Sequence, residues 1–293
     1  MLAVLSLVRT DIPHAELLPR YGGGASRFVV VEDVSVHYRD EGSGPPLVLV
    51  HGTSSSLHTW DGWVARLSSH HRVLRLDLPG FGLTGQAPDR DYSAVRYARV
   101  VAALMSKLGI DRADVAGNSL GGRVALTLAL EHPERVRSLV LVDAAGLSGQ
   151  KPPAIFAIAR TPVLGRALRW LTPRFMIRRN VEEVYGDRSR VTETLVERYY
   201  ELTRHEGNRA ALLDRLTGPA DPPLDDRLAE LRVPVLLEWG GRDPWIPPSF
   251  AQRFAGGIHG ARLVTYPEAG HVPIEELPEA TATDAEAFLA TLP

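Results

Sequence analysis

The chain has 293 residues, 44% of them apolar and 23% charged, with a formal net charge of −2 and no cysteine. That balance describes a globule long enough to bury a substantial core, and nothing in it recruits nucleic acid or an anionic membrane surface. The lack of cysteine excludes disulfides, thiol catalysis and thiolate metal sites together. Lysine is confined to Lys107 and Lys151, neither in an apolar motif that could lower its pKa, which argues against Schiff-base or Ser-Lys chemistry.

Residues 2–8 are apolar but far shorter than the roughly 20 residues of a spanning helix, so no stable membrane insertion is expected, and a cytoplasmic location is. Residues 27–31 and 34–38 are β-branched runs separated by Glu32-Asp33, the pattern of a hairpin. Residues 47–50 form a continuous apolar run, the mark of a strand buried on both faces, which empties into His51-Gly52-Thr53-Ser54-Ser55-Ser56. A second such strand, 73–76, runs into Asp77-Leu78-Pro79-Gly80, a turn whose carboxylate is expected to bond nearby backbone. Helical spacing follows over 97–108, then strand 113–116, a helix over 120–131 and strand 138–142, so the order is β, α, β, α, β, α, β.

From Ala145 the alternation stops. Residues up to about 228 read as helices broken by prolines, which predicts a helical cap (146–228) inserted between two parts of one α/β core (1–145 and 229–293). Strands at 233–239 and 261–266 and helices at 247–254 and 276–292 complete the chain. Glu238 lies inside an otherwise apolar strand, and no motif accounts for it.

The most informative stretch is Gly117-Asn118-Ser119-Leu120-Gly121-Gly122. A strand that becomes a helix within one residue forces Ser119 into a strained backbone conformation, and glycines two before and two after leave room for so tight a turn. The hydroxyl then stands clear of the sheet beside the free N–H groups of a helix start. A serine nucleophile requires a base, and the base requires a group that fixes its tautomer. Asp243 follows the strand ending at Trp239, and His271 follows the strand ending at Tyr266, so both belong at the same rim of the sheet as Ser119. Asp143, at the end of strand 138–142, is a rival acid, its plainer role being to cap a loop.

His51-Gly52-Thr53, Asp77-Leu78-Pro79-Gly80-Phe81-Gly82, Gly117-Asn118-Ser119-Leu120-Gly121-Gly122, Gly241-Arg242-Asp243 and Gly270-His271 together resemble the α/β-hydrolase fold enzymes with a helical cap, over nearly the whole chain. The resemblance implies a mostly parallel twisted sheet with helices on both faces, and a serine hydrolase with the triad Ser119, Asp243 and His271. It also implies an oxyanion hole from the backbone N–H groups of Leu120 and Thr53, with His51 shaping that loop. An aspartate would stand at Ser119 in the dehalogenases and epoxide hydrolases of this fold. The Gly-Asn-Ser wording is similar to meta-cleavage-product hydrolases, which cut carbon–carbon bonds. Those usually carry a glycine-rich loop where Thr53-Ser54-Ser55-Ser56 stand, and a tryptophan where Val272 follows His271.

Within the cap, Leu164, Leu168 and Leu171 recur at helical spacing with Arg166 and Arg169 opposite, and the arginine run to Arg179 reads as a solvated face. Ile155, Phe156, Ile158, Trp170 and Met176 are the candidate pocket residues. These features predict an enclosed, mostly hydrophobic pocket without a cationic clamp, and cleavage of uncharged short-to-medium acyl or aryl esters with water, without metal or cofactor. Carbon–carbon hydrolysis is the alternative, and a non-catalytic ligand receptor a third reading.

Overall fold

The computed structural model describes residues 10–151, 154–161, 165, 167, 170 and 172–292. The predicted leucine stripe at 164, 168 and 171, its arginines at 166 and 169, and residues 2–8 lie outside them. Eight strands form one sheet: β1 (Ser26–Val31), β2 (Val34–Glu41), β3 (Pro46–Val50), β4 (Arg72–Leu76), β5 (Ala113–Asn118), β6 (Val136–Val142), β7 (Val235–Gly240) and β8 (Arg262–Tyr266). Their order is β1-β2-β4-β3-β5-β6-β7-β8. β2 pairs antiparallel with β1 and β4, and every pairing from β4 to β8 is parallel. Glu32 and Asp33 both adopt positive φ (50° and 61°), the two-residue turn whose twist matches a hairpin.

The helices are α1 (His14–Leu17), α2 (Asp61–Leu67), α3 (Ala94–Lys107), α4 (Leu120–Glu131), α5 (Ala154–Ala159), α6 (Arg174–Val184), α7 (Glu193–Thr203), α8 (Asn208–Thr217), α9 (Pro248–Gly257), α10 (Pro273–Glu276) and α11 (Pro278–Leu289). Ser93 and Thr192 cap α3 and α7 by accepting from Arg96 N and Leu195 N.

Because strand side chains alternate, the continuous apolar runs feed two cores. Val48, Val50, Val115, Leu139 and Leu141 pack with α3, α4 and α9 on one face. Leu47, Leu49, Val140 and Val142 pack with Trp63 and Leu67 of α2 and Phe288 of α11 on the other. Each such buried side chain contributes roughly 1.5–3 kcal/mol, so the sheet's interior strands are the rigid base from which the loops project.

Helices α5 to α8 occupy the stretch between β6 and β7, without a strand among the described residues there. The N-terminal segment straps this insertion to the core. Ile12 forms a β-bridge with His205, Asp11 pairs with Arg209, and Leu17 is buried with Leu83 and Leu202. No helix among the described residues is long and apolar enough to cross a membrane.

Glu238 sits on the same face of β7 as Leu236 and is fully buried. Burial pushes its pKa well above the usual carboxylate range, so the folded chain holds a proton there that the unfolded chain releases above about pH 4. Stability therefore falls as pH rises, by about 1.4 kcal/mol per pH unit for this one proton until the folded-state pKa is reached. Glu238→Gln removes the ionisation at constant shape. Urea unfolding should show the variant gaining on the parent chain between pH 5 and pH 8, and equal pH slopes would refute the assignment.

Candidate active site

Ser119 lies between β5 and α4 at φ 53° and ψ −113°. A Cβ on Gly117 would stand 2.2 Å from the Gly121 carbonyl oxygen, and one on Gly121 would stand 2.0 Å from that of Val50. Close backbone approach is thus what requires glycine on either side. The turn is tied down from both ends. Ser119 N–H donates to Val142 O (2.9 Å), and Ser119 O accepts from Arg123 N (3.1 Å) and Ala145 N (3.0 Å).

Of the two carboxylates considered for His271, the structure pairs Asp243 with it. His271 Nδ1–H donates to Asp243 Oδ2 at 2.7 Å, and the other oxygen, Oδ1, accepts the N–H groups of Trp245 (2.7 Å) and Ile246 (3.0 Å). The proton on Nδ1 leaves the Nε2 lone pair exposed to the site, buried and without a hydrogen bond among the described residues. The Trp245 ring packs 5.1 Å from the imidazole.

Asp143 is close by: one ligand atom of each of Asp143, Asp243 and His271 lies within 4.8 Å of the others. Its Oδ1, however, accepts from Gly240 N (3.0 Å). Burial and then the charge of Asp243 push its pKa well above the usual carboxylate range. It is a loop cap beside the carboxylate that holds His271. Sequence reasoning missed Asn118, whose Nδ2 donates to Val142 O (3.2 Å) and His271 O (3.1 Å), tying the serine turn to the histidine loop.

The loop after β3 is shaped by His51. Its Nδ1–H donates to Gly52 O (2.7 Å) while Nε2 accepts from Leu78 N (3.0 Å), an arrangement only the neutral ring can make. Burial lowers its pKa accordingly. Ser54 takes a positive φ of 60°, and a Cβ on Gly52 would meet Ser119 Cβ at 3.3 Å, so this loop presses against the serine. Beneath it, Asp77 accepts Leu57 N, Leu83 N and His37 Nδ1, each at 2.7 Å. Burial works to raise its pKa, but the charge and hydrogen bond of His37 outweigh that and hold it well below the usual range.

Thr53, Ser119, Leu120 and His271 line one cleft of about 420 Å³. An inner chamber of about 80 Å³ adjoins it, the two sharing Phe156 and Leu216. Phe156 and Met176 of the predicted pocket set line that chamber. Trp170 does not: it is exposed (59%). Ile155 and Ile158 fall on α5, their side chains outside the described residues.

The expectation of a mostly hydrophobic pocket without a cationic clamp is corrected for the outer cleft, whose lining includes cationic side chains. Arg123, Lys151, Arg160 and Arg215 line the outer cleft, with Asp221 as its carboxylate. The sequence hid this because Arg160 and Arg215 sit on inserted helices and turns whose facing cannot be read from spacing alone. Arg179 is exposed, as a solvated face requires. The inner chamber is largely apolar, with Ser54, Thr172, Tyr199, Thr203, Arg209 and Asn180 as its polar lining, and the buried Nδ2 of Asn180 has no hydrogen-bond partner among the described residues.

A profile of the alpha/beta hydrolase fold family matches residues 45–278. The chain is similar to a 2-hydroxy-6-oxo-6-phenylhexa-2,4-dienoate hydrolase of Comamonas testosteroni, 28% identical over 85% of this chain and 91% of the relative. Among solved structures it is similar to a bacterial membrane phospholipase A (TM-score 0.78, 27% identity, 95% of this chain and 90% of that one). It is similar also to the meta-cleavage product hydrolase CumD of Pseudomonas fluorescens IP01 (TM-score 0.78, 25% identity, 90% of this chain and 97% of that one).

Removing the Asp77 carboxylate strands three buried donors, at about 1–3 kcal/mol each before relaxation. Because its folded-state pKa is depressed, its contribution is fully present above the unfolded value near 4 and is lost as pH falls below it. Asp77→Ala should therefore be less stable by roughly 3 kcal/mol at pH 7, with the gap narrowing below pH 4. A gap constant with pH in chemical unfolding would contradict this.

Proposed function

The chain belongs to the alpha/beta hydrolase fold family and is a hydrolase, and we propose that it hydrolyses a carbon–carbon bond beside a carbonyl in a small, carboxylate-bearing substrate. The observation that carries this reading is the cleft shared by Ser119, His271 and four cationic side chains against one carboxylate. Cations focused in a cleft attract an anionic substrate and fix which end enters first. The dienoate named for the Comamonas relative is such a substrate, so the relatives favour this chemistry over ester cleavage.

In this mechanism Ser119 Oγ attacks the carbonyl carbon while His271 Nε2 takes its proton and Asp243 holds the imidazole in the required tautomer. Oxyanion charge is met by Leu120 N–H, which heads α4 and has no intrahelical acceptor, and by Thr53 N–H. When the carbon–carbon bond breaks, its electron pair passes into the conjugated leaving group, and His271 returns the proton to that carbon. Water, with His271 again as base, then cleaves the acyl-enzyme. Trp245 covers the histidine from the acid loop, although Val272 follows it in the chain.

Ester hydrolysis is the second reading, favoured by the apolar inner chamber and by the likeness to a phospholipase A. The two are separated by measuring kcat/KM for a carboxylated vinylogous diketone, its methyl ester and a series of aryl esters. The first reading expects the free carboxylate to exceed its methyl ester at least about tenfold, a difference of roughly 1.4 kcal/mol. Turnover of aryl esters with an inert diketone would instead establish the second. In either case Asp243→Ala should cost several orders of magnitude in kcat, and Asp143→Asn less than about threefold. The reverse ranking would move the acid to Asp143.

A further inference from the structure

The histidine loop is crossed by the inserted segment that follows α6, and one carboxylate stands at the crossing. Glu276 is buried (2% exposed). Its Oε2 accepts Gly270 N (2.8 Å) from the histidine loop and Gly186 N (3.0 Å) from the insertion, and its Oε1 accepts Asp187 N (2.7 Å). The two backbones touch directly as well. His271 N–H donates to Val184 O at 2.7 Å. A Cβ on Gly270 would lie 2.2 Å from that oxygen, and one on Gly186 would lie 2.0 Å from Glu268 O. The end of α6 reaches the acid loop as well, where Glu183 Oε1 accepts Trp245 Nε1 at 3.1 Å while Trp245 N donates to Asp243.

We propose that Glu276 is a positioning residue for His271, acting through the three N–H groups it gathers so that the insertion and the catalytic loop share one geometry. This rests on the reading of Ser119, His271 and Asp243 as the catalytic triad. Three backbone donors converge on the two oxygens, and a carboxylate accepts at both without turning a donor against them. An amide accepts on one side only and turns an N–H group against a donor on the other. Half an ångström of displacement at His271 suffices to spoil proton transfer from Ser119. No step of the reaction touches Glu276 itself, so its loss should appear in the rate of serine activation and not in substrate affinity.

The test compares Glu276→Gln and Glu276→Asp with the parent chain in reaction with a fluorophosphonate, which needs the serine and its base but no substrate pocket. In variants folded by near-ultraviolet circular dichroism, the inactivation rate constant and kcat per titrated site should fall together, at least tenfold for Gln and less for Asp, which keeps the charge. KM should stay within threefold. The low-field proton resonance of His271 Nδ1–H should shift or broaden in the Gln variant. A role confined to stability would lower the melting temperature and leave these rates within twofold, and that result overturns the proposal. If the Gln variant does not fold, the Asp variant decides by the same criterion. A parent chain that fluorophosphonate does not label would overturn the triad reading and this inference together, whereas a labelled parent with unaffected variants sinks this inference alone.

Discussion

The backbone at Ser119, φ 53° and ψ −113°, occupies a region that costs a residue with a side chain about 1–3 kcal/mol. Such a conformation persists only where its neighbours over-determine it, and here they do so from two strands and a loop. β6 takes its N–H, β3 closes on Gly121, and the loop after β6 bonds its carbonyl. The parallel sheet with two buried faces is what makes those anchors rigid. In return, a hydroxyl is held out over the strand ends, at a helix start that is ready for negative charge.

Around that point the site is built by buried carboxylates with different duties. Asp243 accepts from His271 Nδ1, Asp143 caps its neighbour's loop with its pKa pushed up, and Asp77, its pKa held down, gathers the loops beneath His51. Environment, not residue type, separates them. Asp77 has three donors, His37 among them, that hold its pKa down, whereas Asp143 has one backbone donor, so burial and the carboxylate of Asp243 beside it push its pKa up.

All eight strands and the serine, acid and histidine loops were legible because each rests on local pattern: continuous apolar runs, a glycine-flanked serine, polar loops after strands. Helix α2 was not foreseen, since seven residues containing Gly62 carry little helical signal and Trp63 holds it by tertiary burial. The cationic lining was misjudged. Arg160 and Arg215 come from the insertion and Arg123 from α4, and only the fold brings them to one cleft. Asn118 and Glu276 were silent for the same reason, as each reaches a partner far away in the chain, 153 and 90 residues off. What local pattern marks is where chemistry sits; what it cannot mark is the long-range struts that align it.

The account stands most directly on Ser119 being a nucleophile activated by His271. Reaction of the purified chain with a fluorophosphonate, followed by peptide mapping in the parent and in a His271→Ala variant, measures this. Modification of Ser119 alone, at a rate that falls at least a thousandfold without the imidazole, is the predicted result. Label on another serine, or an undiminished rate in the variant, would contradict it.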